Sequence, residues 1–203
     1  SRGYLTLAFF KQLVKTMPVR LIPWLLSAGI AIVLVSTDIY APSLPSMVKH
    51  FVTTEADLQW TFSINSYGYC FVSPLVGPLA DAIGRRMVLL VSFLCFIGAS
   101  LGCATAPTLD LFYFWRFVQG AGSAAIPIVS IAVLSDVLKG REFASMMAYV
   151  GIVITLSFAI GPLIGGIVAE YYGWRILFYG CSFAGALIFT LYFLCLPETL
   201  AVK

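Results

Sequence analysis

The chain has 203 residues, 61% hydrophobic and 10% charged, with a mean hydropathy of +0.98 and a formal net charge of +3. A soluble domain carries roughly 25% charged residues, and a water-soluble protein of this composition would bear more apolar surface than one core can hide. The small net charge gives no reason to expect a nucleic-acid partner, and the lipid bilayer is the solvent that suits the chain.

A membrane helix needs ~20 mostly apolar residues, and six runs meet that requirement: 21–42, 58–80, 87–106, 111–135, 143–169 and 176–196. The expected fold class is therefore an all-α membrane protein with six transmembrane helices. Residues 1–20 read as a cytoplasmic N-terminal segment, 21–197 as the membrane domain and 198–203 as the start of a further cytoplasmic loop. Within the first segment, 4–14 is apolar with one lysine and reads as either a short interfacial helix or a tail. Nine basic residues fall on one side of the spans (Arg2, Lys11, Lys15, Arg20, Arg85, Arg86, Lys139, Arg141, Lys203) and two, Lys49 and Arg175, on the other. The positive-inside rule places both termini of the chain in the cytoplasm. Six spans also admit two three-helix repeats of inverted topology, which would make spans one and four equivalents.

The first span carries one charge, Asp38, near its outer end. An ionisable group in a bilayer is costly and is a functional candidate for that reason. His50 follows in a short polar loop and reads as ordinary surface. Span two ends in GPLADAIGRR, which puts Gly77, Asp81, Gly84, Arg85 and Arg86 into a very short turn. Charge at a helix end accounts for the arginines but not for the acid at the membrane edge. In span three, Gly98 and Gly102 repeat every four residues, a spacing that lets helix backbones approach closely.

Span four carries Arg116, at a depth similar to that of Asp38, so the two are expected to pair directly or through water. Such a pair would either fix helix packing or respond to protons; a guanidinium that moves would switch Asp38 between holding and releasing one. Gln119, Gly120, Ser123 and Pro127 share a face with Arg116, a polar, small-residue stripe suited to a cavity wall or a close helix contact. The GAGSAA run there is not a nucleotide fingerprint, because no strand precedes it. Asp136, at the cytoplasmic end of this span, is the natural partner of Arg85. Span five contains SFAIGPLIGG, with Ser157, Gly161 and Gly165 at intervals of four and a bend expected at Pro162. The five cysteines (Cys70, Cys95, Cys103, Cys181, Cys195) lie in apolar runs without a C-x-x-C spacing and read as inert buried thiols. No metal, cofactor or enzymatic chemistry is expected, since no nucleophile–base set or metal cluster appears.

GPLADAIGRRM resembles the signature loop between helices two and three of the major facilitator superfamily. LFYFWRFVQGAGSAA resembles the helix-four motif of its proton-driven members, with Arg116 as the motif arginine and Gln119, Gly120 and Gly122 in register. SFAIGPLIGG resembles the helix-five antiporter motif (Gly161, Pro162, Gly165, Gly166), with Ser157 where that motif usually has glycine. TDIYAPSLP looks like the helix-one motif of the twelve-helix drug–proton antiporters, closest to the Bcr/CflA group. LPETL resembles the entry to the central cytoplasmic loop.

The resemblance implies the N-terminal six-helix half of a proton-coupled multidrug exporter of the inner membrane. Its partners would be small-molecule drugs of the bicyclomycin, sulfonamide or chloramphenicol type, protons, lipid, and a C-terminal six-helix half. Asp38, Arg116 and Gln119 would couple proton and substrate. Gly77, Asp81, Gly84, Arg85, Arg86 and Asp136 would form a cytoplasmic gate, and Tyr40, Phe62, Ser123 and Phe158 would line the cavity. Two other readings of the residues remain: a complete six-helix carrier that dimerises, and a membrane scaffold that transports nothing.

Overall fold

The computed structural model describes residues 21–196. The expectations for 4–14 and for the end of LPETL lie outside the described residues. Within them the chain is helical almost throughout. α1 (Ile22–Asp38) leads through a 3₁₀ turn (Ala41–Ser43) into the short α2 (Leu44–Phe51). Then come α3 (Glu55–Ile83), α4 (Arg85–Thr105), α5 (Leu109–Ser123), α6 (Ala125–Val137), α7 (Gly140–Tyr172) and α8 (Arg175–Cys195).

The helix ends have local causes. Pro23 opens α1, where a missing N–H costs nothing. Thr54 and Asp57 cap α3 reciprocally: the Asp57 N–H donates to Thr54 Oγ1 at 3.2 Å and the Thr54 N–H to Asp57 Oδ2 at 3.2 Å. Gly84 alone joins α3 to α4 at φ +97°, and Gly173 opens the α7–α8 turn at φ +80°, conformations that side chains with a Cβ resist. The fourth span differs from the sequence expectation: 111–135 is not one helix, because α5 and α6 part at Ala124. Pro127 has no N–H for the carbonyl of Ser123, the last residue of α5, and its ring crowds that carbonyl. α7, by contrast, continues as one helix through Pro162.

Six helical paths result, and five of them are long and apolar enough to cross a membrane. The other, α3, has 29 residues, about 43 Å at ~1.5 Å per residue. Its length suffices, but Gln59, Ser63, Asn65, Ser66 and Ser73 dilute its apolar character.

Helix pairing follows two three-helix repeats. Span one (α1) packs on span five (α7), span two (α3) on span four (α5), and span three (α4) on span six (α8). Exchanging spans one to three with four to six turns the first pair into the second and leaves the third unchanged. Both exchanged pairs are glycine seams. A Cβ on Gly165 would meet the Ile39 carbonyl, one on Gly68 the Phe117 carbonyl and one on Gly120 the Asn65 carbonyl. Gly161 and Gly166 extend the α7 seam at ordinary contact, 3.4 Å from Val35 O and from Pro42 Cβ. The two span-three glycines part company: Gly102 lies against the Trp115 ring, whereas Gly98 faces open space. The small-residue spacing is the same, but only one position has a neighbour.

These contacts fix an expected result. Gly165→Ala places a methyl into backbone that cannot rotate away, which costs ~1–3 kcal/mol. Gly98→Ala meets nothing and gains helix propensity, up to ~1 kcal/mol. Thermal unfolding of the full-length protein in detergent should show a lowered Tm for the first and none for the second; equal Tm values would refute the seam.

Candidate functional site

α1 stops at Asp38, and its last carbonyls carry the negative end of the helix dipole. Into that end reaches Arg116 from α5. Arg116 is 0% exposed, and its cation is met entirely by neutral groups. Nη2 donates to the Thr37 carbonyl at 3.2 Å, and Nη1 donates to Gln119 Oε1 at 2.6 Å, one turn further along α5. Its Cζ lies 4.7 Å from the centre of the Tyr40 ring, whose negative face attracts a desolvated cation by ~2 kcal/mol. Among the described residues Nε has no hydrogen-bond partner.

A second layer holds these groups. Gln119 Nε2 donates to Ser100 Oγ on α4 at 2.8 Å, and the Ser100 hydroxyl donates to the Phe96 carbonyl at 2.7 Å. Asn65 Nδ2 on α3 donates to the Arg116 carbonyl at 3.0 Å. The Tyr40 and Thr61 hydroxyls share a hydrogen bond of 2.5 Å. Four of the six spans thus meet around one guanidinium.

The expected Asp38–Arg116 pair does not form directly. Asp38 is half-buried, and among the described residues it has no ion pair or hydrogen bond, although it feels the charge of Arg116. The Thr37 carbonyl, the Gln119 amide and the Tyr40 face hold the guanidinium instead, and no Asp38 oxygen comes within ion-pair distance of it.

Of the other expected site residues, Tyr40 and Ser123 are buried in the bundle and do not line an open surface. Phe62 stacks on Tyr40 with ring centres 4.7 Å apart and is partly exposed, and Phe158 is exposed on α7. At the end of the bundle that carries Arg85, Arg86, Lys139 and Arg141, Arg85 forms an ion pair with Asp136 and donates to the Ala132 carbonyl at 2.9 Å. Arg86 donates to the Phe193 carbonyl at 2.6 Å. Asp81 does not join them: it is exposed, and among the described residues it has no ion pair or hydrogen bond. A Cβ at Gly77 would likewise meet nothing. Of the cysteines, Cys103 and Cys181 are buried as expected, but Cys70 and Cys95 are exposed on outward faces of α3 and α4, which an apolar run does not distinguish from a core.

Several residues escaped the sequence reading. Asn65, Thr61 and Ser100 are polar side chains inside spans, and that polarity is the signal that singles them out. At the opposite end of the bundle, Arg175 donates to the Ala104 and Ala106 carbonyls at 2.9 and 3.1 Å and contacts His50 Nε2 at 3.0 Å. His50 is therefore tied down and not simply surface.

Among the hollows of the bundle are two apolar crevices of about 280 and 290 Å³, between α3, α4 and α5 and between α1, α7 and α8. A hollow of about 640 Å³ with a mixed lining sits at the basic end between Trp24, Arg141, Glu142 and Tyr149. None of the three is lined by Asp38 or Arg116.

Comparison with known proteins agrees with this architecture. The solved structure of the human organic anion transporter MFSD10 superposes with a TM-score of 0.73 at 20% identity, over 92% of this chain and 50% of that one. A D-xylose–proton symporter superposes with a TM-score of 0.79 at 15% identity, over 90% and 49%. At such identities the likeness concerns the fold alone. Among sequence relatives, the multidrug resistance protein MdtL of Shewanella sp. (strain ANA-3) is 35% identical over 162 residues, 80% of this chain and 41% of the relative. The bicyclomycin resistance protein homolog of Haemophilus influenzae is 29% identical over 162 residues, again 80% and 41%. The chloramphenicol resistance protein of Pseudomonas aeruginosa is 32% identical over 142 residues, 70% and 34%. The chain thus spans about two fifths of the curated relatives it matches. Residues 26–203 match the Major Facilitator Superfamily, and the chain belongs to that family as a six-helix unit equivalent to half of its solved members.

Proposed function

We propose that this unit is the amino-terminal half of a proton-coupled drug exporter of the inner membrane, working with a second six-helix half. The observation that carries the reading is a fully buried Arg116 beside a half-buried Asp38, with no ion pair between or to them among the described residues. A site built only to fix packing would close that pair; one built to exchange protons keeps the carboxylate available. Asp38 is the proton or cationic-drug site, and Arg116 and Gln119 are the coupling residues. Phe62 and Phe158 offer exposed aromatic surface for an apolar drug against the other half. The names of the relatives point to multidrug, bicyclomycin and chloramphenicol resistance, which supports small-molecule drugs of varied chemistry as the cargo. The charge asymmetry supports cytoplasmic ends for the first and last spans: Arg85, Arg86, Lys139 and Arg141 at one end, Lys49 and Arg175 at the other.

The Arg85–Asp136 pair ties the α3–α4 turn to α6 and is the gate's fixed contact in this conformation. Gly84 forms that turn, with Gly77 and Asp81 on the end of α3 and Arg86 on the start of α4 as its flanks. A gate biases the equilibrium between two states and leaves intrinsic affinity alone.

Everted membrane vesicles holding the full-length protein test the reading. An acidified lumen should drive uptake of a fluorescent drug, and a protonophore should stop it. In the same vesicles Asp136→Asn should alter turnover, and in the purified protein it should shift the ratio of the two gate states, read by cysteine accessibility at the basic end, with apparent drug affinity moving only as that ratio moves. Uptake that ignores the gradient would reject proton coupling, and an Asp136→Asn variant with unchanged accessibility at the basic end would reject the gate.

A further inference from the structure

We propose that Tyr40 is a positioning residue whose ring face holds the Arg116 guanidinium off Asp38. The inference rests on Asp38 being the proton site. Tyr40 is 0% exposed, so its ring does not serve as open cavity wall. It is clamped on every side. Its hydroxyl bonds Thr61 at 2.5 Å, Phe62 stacks on it at 4.7 Å, Phe178 tilts against it at 5.4 Å, and Phe112 meets it edge-on at 6.3 Å. A ring so held keeps one face where the guanidinium lies, 4.7 Å away.

The chain path explains the arrangement. α1 ends at Asp38, and the backbone turns into the 3₁₀ segment that begins at Ala41. Residues 37–40 therefore present three groups in succession: the Thr37 carbonyl, the Asp38 carboxyl and the Tyr40 ring. The first and third grip Arg116, and the middle one is passed over. The π face supplies attraction that requires no anion, so the buried cation is stabilised without spending the carboxylate.

Removing that face changes the competition. The guanidinium loses one of its neutral partners, and the nearest anion is Asp38. An arginine brought against a carboxylate favours its charged form, so Asp38 would give up its proton more readily. The other titratable groups around the guanidinium are Cys103 on α4 and Cys181 on α8, both buried thiols. Among the described residues, α3, α6 and α7 bring no further charge to Asp38.

The test is carbodiimide labelling of Asp38 against pH in the purified full-length transporter, read by peptide mass spectrometry. Carbodiimide labels the protonated carboxyl, so the half-labelling pH reports the proton directly and does not need transport. Four proteins are compared: wild type, Tyr40→Phe, the same position carrying ring-fluorinated phenylalanine, and Tyr40→Leu. Tyr40→Leu should lower the half-labelling pH by about one unit or more. Tyr40→Phe should stay near wild type, and the fluorinated ring, of nearly the same shape but with a drained π face, should fall between. If the leucine variant does not accumulate, the phenylalanine and fluorinated pair decides the matter without it. Coincident curves for that pair would overturn the role of Tyr40 while leaving Asp38 as the proton site. Labelling of wild-type Asp38 that does not vary with pH would overturn both.

Discussion

Asp38→Asn should reduce gradient-driven export by the full-length transporter to background while the protein still reaches the membrane. Asparagine keeps the shape and polarity of the side chain and loses only the titration. Asp38 makes no ion pair or hydrogen bond among the described residues, so the substitution breaks no structural contact. A purely structural carboxylate is expected to show its loss in stability, and this one should not: Tm in detergent should stay close to wild type while drug flux in vesicles disappears. Downhill movement of an uncharged drug should persist, because the substitution removes the titrating group and breaks no contact of the fold among the described residues. Flux at the wild-type rate under a pH gradient would remove Asp38 from the mechanism.

Arg116→Lys should be nearly as damaging, although it keeps the charge. The guanidinium serves three partners at once: Nη1 to Gln119, Nη2 to the Thr37 carbonyl and the flat face to Tyr40. An ammonium is a compact point charge that cannot span this fork. Losing one charge-assisted hydrogen bond in a buried site costs ~1.5–3 kcal/mol, about 10- to 100-fold in any step that depends on it. Gln119 and Ser100 then lose their orientation as well, since each is held through the next. Coupled flux in vesicles should fall by about that factor, and Arg116→Gln should fall further because a buried site without its cation no longer influences Asp38. Wild-type flux in the lysine variant would mean that charge alone matters and that the directed bonds do not.

Much of this architecture was legible in the sequence because the bilayer imposes a length on any apolar run that crosses it. The six runs correspond to the six helical paths, with ends displaced by a few residues where Thr54, Gly84 and Gly173 set caps and turns. The seam at Gly165 was legible too, since a small-residue repeat has few other uses. Other features depended on neighbours that no local pattern names. Gly98 and Gly102 look alike in the sequence, and only the second has Trp115 against it. Pro127 and Pro162 both sit inside apolar runs, yet one parts α5 from α6 and the other lies within an unbroken α7. The site shows the same division. Asp38, Arg116 and Gln119 stand out as polar groups in spans, but the first partner of the guanidinium is a backbone carbonyl of Thr37, and a carbonyl looks the same at every residue. Tyr40 reads as an aromatic wall until the turn after α1 carries its ring under Arg116.

Proton coupling at Asp38 requires that drug and proton compete for a site containing that carboxylate. Drug-induced proton release from the purified full-length transporter in weakly buffered detergent solution tests it most directly. Adding a saturating transported drug to the wild type should acidify the medium, and the same addition to Asp38→Asn should release nothing although the drug still binds. Equal release from both proteins, or drug binding by the wild type with no release at any pH, would rule out competition at Asp38.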